Sequence, residues 1–214
     1  MTVQRTTREL RPRKSPCQTR SRATVDAILG AAAQVFAAHG YAAGTTNRIA
    51  ARAGVSIGSL YEYFPNKDAL LVALLEAHIA EGEEVLQRTA SEVLPADLPL
   101  HMAVRRLVAA MVELHARDPQ LHRVLFEEAP LPRRVRRMLA DTERRVTTLV
   151  EHYLTRHPEF RRDDAALAAG IVVQTVEALT HKLIVHEGRA TDICKRIDEI
   201  AALVVEYLTA ATSE

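Results

Sequence analysis

Apolar residues recur at spacings of three and four positions along most of the chain, a pattern typical of amphipathic helices. From Ala23 to His39 they form a single stripe, and Gly40 follows where a residue with positive φ can end a helix. No segment alternates with a period of two for long enough to form a strand, and the sequence shows no internal repeat. The pattern therefore predicts an all-α protein.

Two short helices are predicted after the first one. Thr45 or Thr46 can cap a helix that runs through Ala53. Gly54 then permits the positive φ of a tight turn, and Ser56 can cap the next helix. Because helices this short are not stable alone, they must pack on each other and on the first helix. The sequence thus predicts a three-helix unit that ends in a helix–turn–helix.

Longer amphipathic segments fill the remainder of the chain. The predicted helices run from Asn66 or Lys67 to about Leu94, from about Leu100 to Asp118, from Gln120 to Glu128, from about Arg133 to Arg156, from Asp163 to His186 and from Thr191 to Thr209. We expect three regions: a basic arm over residues 1–20, a helix–turn–helix domain over residues 21–67 and a larger helical domain over residues 68–214.

The stretch AGVSIGSLYEYFPNK, residues 53–67, places three aromatic residues within four positions of a chain that is only 4% aromatic. On a helix, Tyr61 and Tyr63 can reach phosphate groups with their hydroxyls, and Lys67 adds a point charge. The first turn of the helix offers short side chains and glycine to a major groove: Ser56, Ile57, Gly58 and Ser59. The stretch favours a DNA-reading helix. The alternative is that both tyrosines are half-buried core residues.

The net charge of +1 hides an uneven distribution of charge. Residues 1–67 contain ten basic and three acidic side chains, so the remainder of the chain is net acidic. A basic end on an acidic body indicates that this end meets a polyanion. Arg20 and Arg22 precede the first helix closely enough to reach a minor groove, as extended arms do in several DNA-binding modules. The alternative is a solvated basic tail.

The segments FAAHGYAAGTT and IAARAGVSIGSLYEYFPNKDALL resemble the DNA-binding domain of the TetR family of bacterial transcriptional regulators, over about Thr24 to Leu75. The resemblance implies that Thr46 contacts a phosphate and that Arg48 and the first turn of the third helix lie at the DNA. It also implies that the two tyrosines and the lysine of the aromatic stretch bind the DNA backbone. Ile57 departs from the lysine common at this position in the family, and it cannot donate a hydrogen bond to guanine.

The same resemblance implies that the larger domain dimerises and binds a small effector, which changes the separation of the two DNA-reading heads. Our leading hypothesis is a repressor that the effector releases from DNA. Leu167–Val185 is apolar on more than one face and contains small residues that permit close approach of helices. With Ile197–Leu208 it predicts a four-helix homodimer interface, whose two-fold symmetry matches a palindromic operator. The alternative is a core helix within one chain.

Polar or adaptable side chains set among apolar ones are the candidates for an effector pocket. They are His78, Met111, His115, Phe126, Gln174 and Glu177. Glu177 lies in an apolar stretch and needs a partner, either a cationic ligand or an arginine of a second subunit. Because the predicted core lacks charge clusters, we expect an apolar or amphiphilic effector such as a drug-like or acyl compound.

Enzyme, cofactor and metal motifs are absent from the sequence. The patterns GxGxxG, GxxxxGK[ST], HExxH and GxSxG do not occur, so we expect no catalysis and no cofactor. Histidines five residues apart lie about 140° apart on a helix, which disfavours metal binding by such pairs. His115 and His122 straddle Pro119 and form the one alternative metal pair.

Two further alternatives belong to other functional classes. A regulator of the same fold could sense oxidants through Cys17 or Cys194, which are far apart and form no CxxC motif. The chain could also be an enzyme or metabolite-binding protein without a DNA role. No apolar run is long enough to span a membrane, and the N-terminus lacks the apolar segment of a secretory signal, so we expect a cytoplasmic protein.

Overall fold

The structure is a computed structural model that describes residues 19–93, 98–184 and 192–211, with side chains from Ser21 onward. Within these ranges all regular secondary structure is helical, which confirms the predicted all-α fold. The α-helices are α1 (Thr19–Ala43), α2 (Thr46–Ala53), α3 (Ile57–Tyr63), α4 (Lys67–Val93), α5 (Leu100–Ala116), α6 (Pro119–Arg123), α7 (Arg133–Leu154), α8 (Ala165–Lys182) and α9 (Ile193–Thr209). A π-helical turn (Val124–Glu128) follows α6.

The helix bounds agree with the periodic pattern and differ at the ends, where capping chemistry decides. The predicted helix from Gln120 to Glu128 is α6 followed by the π turn. In a π turn each hydrogen bond joins residues five apart rather than four apart. Asp164 caps α8 by accepting a hydrogen bond from the Leu167 amide, and Asp192 caps α9 in the same way. Both helices therefore begin two residues later than predicted.

The first of two compact units comprises Met1–His78 and Gln120–Arg137. Its three-helix part has a core of fully buried side chains, among them Phe36, Ile49, Leu60 and Phe64. Leu60 and Phe64, four residues apart, are the inward positions of α3. The π turn packs against α1 in the same unit. Here a Cβ on Gly40 would lie only 2.8 Å from the Glu128 carboxylate, and φ is +72°. The Glu128 side chain can move away, so it is the positive φ that favours glycine at this position.

The second unit comprises Ile79–Pro119 and Met138–Glu214, and α5, α8 and α9 pack together within it. Its core includes Val108, Ala169 and Val204. Ala168 and Ala169 are buried, as expected for small residues that let helices approach closely. On the opposite side of α8, Leu167 is 61% exposed. One apolar face of α8 is thus buried in the core of the second unit, and another apolar face is exposed at the surface.

Some sequence predictions fall outside the described residues. These are the arm before residue 19, including Cys17, together with the side chain of Arg20 and the final residue of the predicted interface segment, Val185. None of the described helices is long and apolar enough to cross a membrane.

Candidate nucleic-acid interface and ligand cavity

The turn between α2 and α3 is built by local hydrogen bonds. Thr45, rather than Thr46, caps α2, and its side chain accepts a hydrogen bond from the Arg48 amide. Gly54 has φ 66° and ψ 27°, a left-handed conformation that favours glycine. The Ser56 hydroxyl then caps α3 by accepting a hydrogen bond from the Ser59 amide at 3.0 Å. The caps fix where α3 begins and which side chains its first turn presents.

The outer face of α3 exposes side chains that would be buried in an ordinary core. Ile57 and Tyr61 are each 39% exposed, and Gly58 has only the Ser56 hydroxyl near its Cβ position. Leu60, on the inner face, is fully buried. An exposed isoleucine and tyrosine beside a glycine form a surface that another molecule can approach closely.

The two tyrosine hydroxyls reach different elements of the first unit. The Tyr61 hydroxyl lies 3.1 Å from the Thr46 hydroxyl at the start of α2. The Tyr63 hydroxyl lies 3.0 Å from the Ser21 hydroxyl near the start of α1, one residue before the exposed Arg22. Each pair places two hydroxyls together, as in a site that donates hydrogen bonds to a phosphate.

Lys67 ties the end of α1 to the start of α4. Its ammonium group donates hydrogen bonds to the carbonyl oxygens of Tyr41 (2.7 Å) and Ala42 (3.2 Å) and lies 4.1 Å from the centre of the Tyr41 ring. The Tyr41 hydroxyl in turn donates a hydrogen bond to Asp68. The sequence analysis did not predict the contacts of Tyr41 with Lys67 and Asp68, although Gly40 and Tyr41 belong to the family motif FAAHGYAAGTT.

The remaining predicted DNA contacts are also at the surface. Arg48 is exposed and lies 3.2 Å from a nitrogen of His39. Arg52, which is not among the predicted contacts, is also exposed and donates a hydrogen bond to Gln34. The structure brings Thr46 and Tyr61 into direct contact and places Ser56, Ile57 and Gly58 on the exposed part of α3. Their role in binding DNA stays a prediction.

Four of the six candidate effector residues lie in two clusters, and the other two, Gln174 and Met111, lie apart from them. In the first unit, the His78 ring lies 5.0 Å from the His122 ring and 5.4 Å from the Phe126 ring, measured between ring centres. Burial lowers the pKa of His78, because a charged imidazole loses hydration there. The cluster packs the middle of α4 against α6 and the π turn.

In the second unit, His115 is almost fully buried and its Nε2 atom lies 3.7 Å from a Glu177 carboxylate oxygen. The His115 and His181 rings meet edge to face at 6.0 Å. Partial burial raises the pKa of Glu177, His181 opposes this shift and the nearby Glu143 carboxylate adds to it. The Glu177 side chain is 53% exposed, so water reaches its carboxylate, and the 3.7 Å separation from His115 is longer than a hydrogen bond. A cationic ligand or an arginine of a second subunit as its partner stays a prediction.

The other two candidates contribute less to a pocket. Gln174 is exposed and donates a hydrogen bond to Glu143 at 3.0 Å. Met111 is partly buried and packs against the core of the second unit. Over the described ranges, no group of three or more histidine, cysteine or acidic side chains is arranged to hold a metal ion. Cys194, on α9, is an exposed free thiol.

A cavity of about 100 Å³ lies within the second unit, and none of the six candidate effector residues lines it. Its walls come from α4, α5 and α7, with one residue each from α8 and α9. The lining residues are Leu86, Thr89, Ala90, Val93, Leu100, Ala103, Val104, Leu107, Val146, Leu149, Val150, Tyr153, Leu154, Val172 and Leu208. No charged side chain is among them. Sequence reasoning missed this site because its leucines and valines have the same spacing as an ordinary core.

The all-helical fold and the helix–turn–helix with its exposed α3 are typical of a transcriptional regulator, and comparison with known families agrees. The model for bacterial regulatory proteins of the tetR family matches residues 28–74, and the tetracycline repressor-like C-terminal domain matches residues 99–208. The second match alone covers about half of the chain. The protein therefore belongs to the TetR family of transcriptional regulators, as its sequence motifs predicted.

Curated relatives match parts of the chain. Nucleoid occlusion factor SlmA of Haemophilus ducreyi is 28% identical over 134 residues, which are 60% of this chain and 64% of SlmA. The transcriptional activator FasR of Mycolicibacterium smegmatis is 33% identical over 103 residues, which are 47% of this chain and 44% of FasR. The matched region therefore spans less than two thirds of either relative.

Solved structures share the fold over most of their length. FadR of Bacillus subtilis in complex with stearoyl-CoA superimposes with a TM-score of 0.64 at 20% identity, covering 88% of this chain and all of FadR. A TetR-like regulator from Rhodococcus sp. RHA1 superimposes with a TM-score of 0.68 at 22% identity, covering 87% of this chain and 96% of the other.

Proposed function

We propose that this TetR-family regulator binds a palindromic operator as a homodimer and that a small apolar or amphiphilic effector releases it, so that it acts as a repressor. The observation that carries the proposal is the face of α3, where exposed Ile57 and Tyr61 flank the capped first turn. Ile57 offers an apolar contact to a thymine methyl and no hydrogen bond to guanine. We therefore expect an operator with thymine at the base that Ile57 meets.

Phosphate binding is assigned to the groups that surround this face. The Thr46–Tyr61 hydroxyl pair and the Tyr63–Ser21 hydroxyl pair lie at two places on the first unit. Arg48 and Lys67 add positive charge. Such contacts set the register of the helix on the duplex, whereas the first turn of α3 reads the bases.

The chemistry of the effector follows from the cavity. Its lining contains two hydroxyl-bearing residues, Thr89 and Tyr153, and otherwise only apolar side chains. Binding there gains free energy from apolar area removed from water, about 25 cal/mol per Å². FadR of Bacillus subtilis, which shares this fold, was solved with stearoyl-CoA. The apolar lining therefore favours an apolar ligand such as an acyl chain, and the cavity of about 100 Å³ must widen to admit more than a short segment of one.

A homodimer through α8 and α9 is supported by their open apolar side chains. Leu167 is 61%, Ile171 38% and Leu203 56% exposed in the single protomer. Large apolar side chains exposed on both helices favour an interface with a second subunit. Two-fold symmetry would then set two reading helices at the spacing of operator half-sites.

The effector can act only if it binds the released state more tightly than the DNA-bound state. The test is a titration of the purified protein against DNA upstream of its own gene, with random duplex as competitor. Tyr61→Ala should abolish specific binding, while Arg156→Ala, an exposed arginine of the second unit, should not. Equal competition by random and upstream DNA would refute the operator. A release of DNA by acyl compounds would support repression, and tighter binding would indicate activation.

A further inference from the structure

The start of α7 carries a cluster of arginines that the helix–turn–helix does not use. Four of its first five residues are arginines: Arg133, Arg134, Arg136 and Arg137. Arg134 is half-buried and forms an ion pair with Glu76, its Nε lying 2.8 Å from Glu76 Oε1, which holds the start of α7 against α4. The other three are exposed, and their guanidinium groups make no ion pair with any described residue. We call these three residues the α7 arginine cluster.

The arrangement is unfavourable for the isolated helix. Like charges three and four residues apart repel each other, and cations gain nothing from the positive end of a helix dipole. The first turn of α7 contains no acidic residue to offset this cost. Nearby carboxylates are engaged elsewhere, since Glu76 binds Arg134 and Glu128 lies 3.4 Å from Arg123. The cluster is therefore an open source of positive potential.

The cluster belongs to the same compact unit as the DNA-reading helix. The π turn packs against α1, with Glu128 beside Gly40, next to the residues that Lys67 binds. Arg133 follows Glu128 by five residues, so its Cα lies within about 18 Å of that contact. A phosphate-binding edge around Lys67 and the arginine cluster are thus held by one packed body.

We propose that the α7 arginine cluster is a second DNA-binding surface, which contacts duplex phosphates outside the segment read by α3. Arginine presents a planar set of donors that suits phosphate oxygens. Contacts to phosphates carry no base information, so this surface adds affinity without sequence preference. It extends the footprint of the regulator beyond its operator half-site, and it steepens the dependence of binding on salt.

The test uses the full chain and a random-sequence duplex of about 40 base pairs, so that it does not depend on knowing the operator. The variant replaces all three clustered arginines with alanine. Its charge-matched control replaces Arg88, Arg106 and Arg156, which are exposed arginines of the second unit. Binding is measured by fluorescence anisotropy over a range of salt concentrations.

We expect the cluster variant to lose about 0.9 in the salt slope for each phosphate contact removed, which is roughly 2–3 in total, whereas the control retains the wild-type slope. Replacing the three arginines with lysine should restore most of the slope, because the charge is kept. Equal slopes for the cluster variant and the control would overturn the proposal and would favour a protein partner for the cluster. Specific operator binding by the wild type is measured separately, so failure of the proposed function is distinguishable from failure of this inference.

Discussion

The ammonium group of Lys67 lies 2.7 Å from the carbonyl oxygen of Tyr41, and the same ammonium stands over the Tyr41 ring. Tyr41 follows a break in α1 at Gly40, where φ is 72° and ψ is 169°, and the ammonium stabilises the short turn beyond that break through charge-assisted hydrogen bonds. A lysine that the family motif assigns to DNA therefore also holds the first unit together. The two roles can be separated by experiment.

We expect Lys67→Met to lower the free energy of unfolding by about 1–2 kcal/mol in the absence of DNA, because charge-assisted hydrogen bonds to two carbonyls are lost. The measurement is urea unfolding followed by circular dichroism. Lys195→Met, at an exposed position of α9, is the control and should change stability by less than about 0.5 kcal/mol. An unfolding midpoint equal to that of the wild type would leave Lys67 with a DNA role only.

Tyr61→Phe removes one hydroxyl from the surface of α3 and leaves the ring in place. Because the Thr46–Tyr61 pair is exposed, stability should change by less than about 0.5 kcal/mol. Operator affinity should fall about tenfold, which corresponds to about 1.4 kcal/mol and to one lost hydrogen bond to phosphate. Anisotropy with operator DNA measures the affinity. An unchanged dissociation constant would show that the hydroxyl serves only the contact with Thr46.

The cavity predicts that added volume at its wall excludes the effector. Ala103 lines the cavity and is 4% exposed, so Ala103→Leu should fill space that a ligand would occupy. Binding of Nile red, and of any acyl effector found, should weaken at least about tenfold. Ala109→Leu adds the same volume on α5 at a position that does not line the cavity. Equal loss in both variants would point to a general disturbance of α5.

Glu177 predicts a pH dependence of stability with a definite sign. Desolvation raises the pKa of Glu177 in the folded state, and because the side chain is 53% exposed, solvent screening keeps the effect on stability small. Between the unfolded and folded pKa values the native protein binds the proton more tightly. Stability should therefore fall as pH rises through this window, and the loss persists above it. Glu177→Gln should raise the free energy of unfolding at neutral pH and leave it unchanged at pH values well below the ordinary glutamate range.

Denaturant unfolding of the variant at both pH values measures this effect. Glu84→Gln, at an exposed position of α4, is the matched control. If both glutamine variants respond to pH in the same way, the shift at Glu177 has no effect on folding. If Glu177→Gln is less stable at neutral pH, the 3.7 Å contact with His115 outweighs the cost of burial.

The open apolar face of α8 and α9 predicts the oligomeric state. Leu203→Glu should convert a dimer into monomers, because a carboxylate in an apolar interface loses its hydration without gaining a partner. Sedimentation velocity measures the mass of each species. Met102→Glu, at a 40% exposed position of α5, is the control and should remain dimeric. A Leu203→Glu protein that sediments as the wild type would place the interface elsewhere.

Much of the helix–turn–helix part of the first unit, α1 to α3, could be predicted from the sequence. The helical period, the turn at Gly54, the cap at Ser56 and the inward positions Leu60 and Phe64 depend on residues within a few positions of each other. The family motif covers the same segment, which the comparison with residues 28–74 confirms. Local hydrogen-bonding rules and periodicity are properties that a linear sequence displays.

Contacts between distant segments were decided only by the tertiary structure. The Lys67–Tyr41 contact joins positions 26 apart in the sequence, and Arg134 reaches Glu76 across most of α4, α5 and α6. The cavity draws residues from five helices whose apolar spacing is the same whether they enclose a void or fill a core. Periodicity shows which face of a helix is buried. The packing angles and registers that choose its neighbours depend on the whole folded chain.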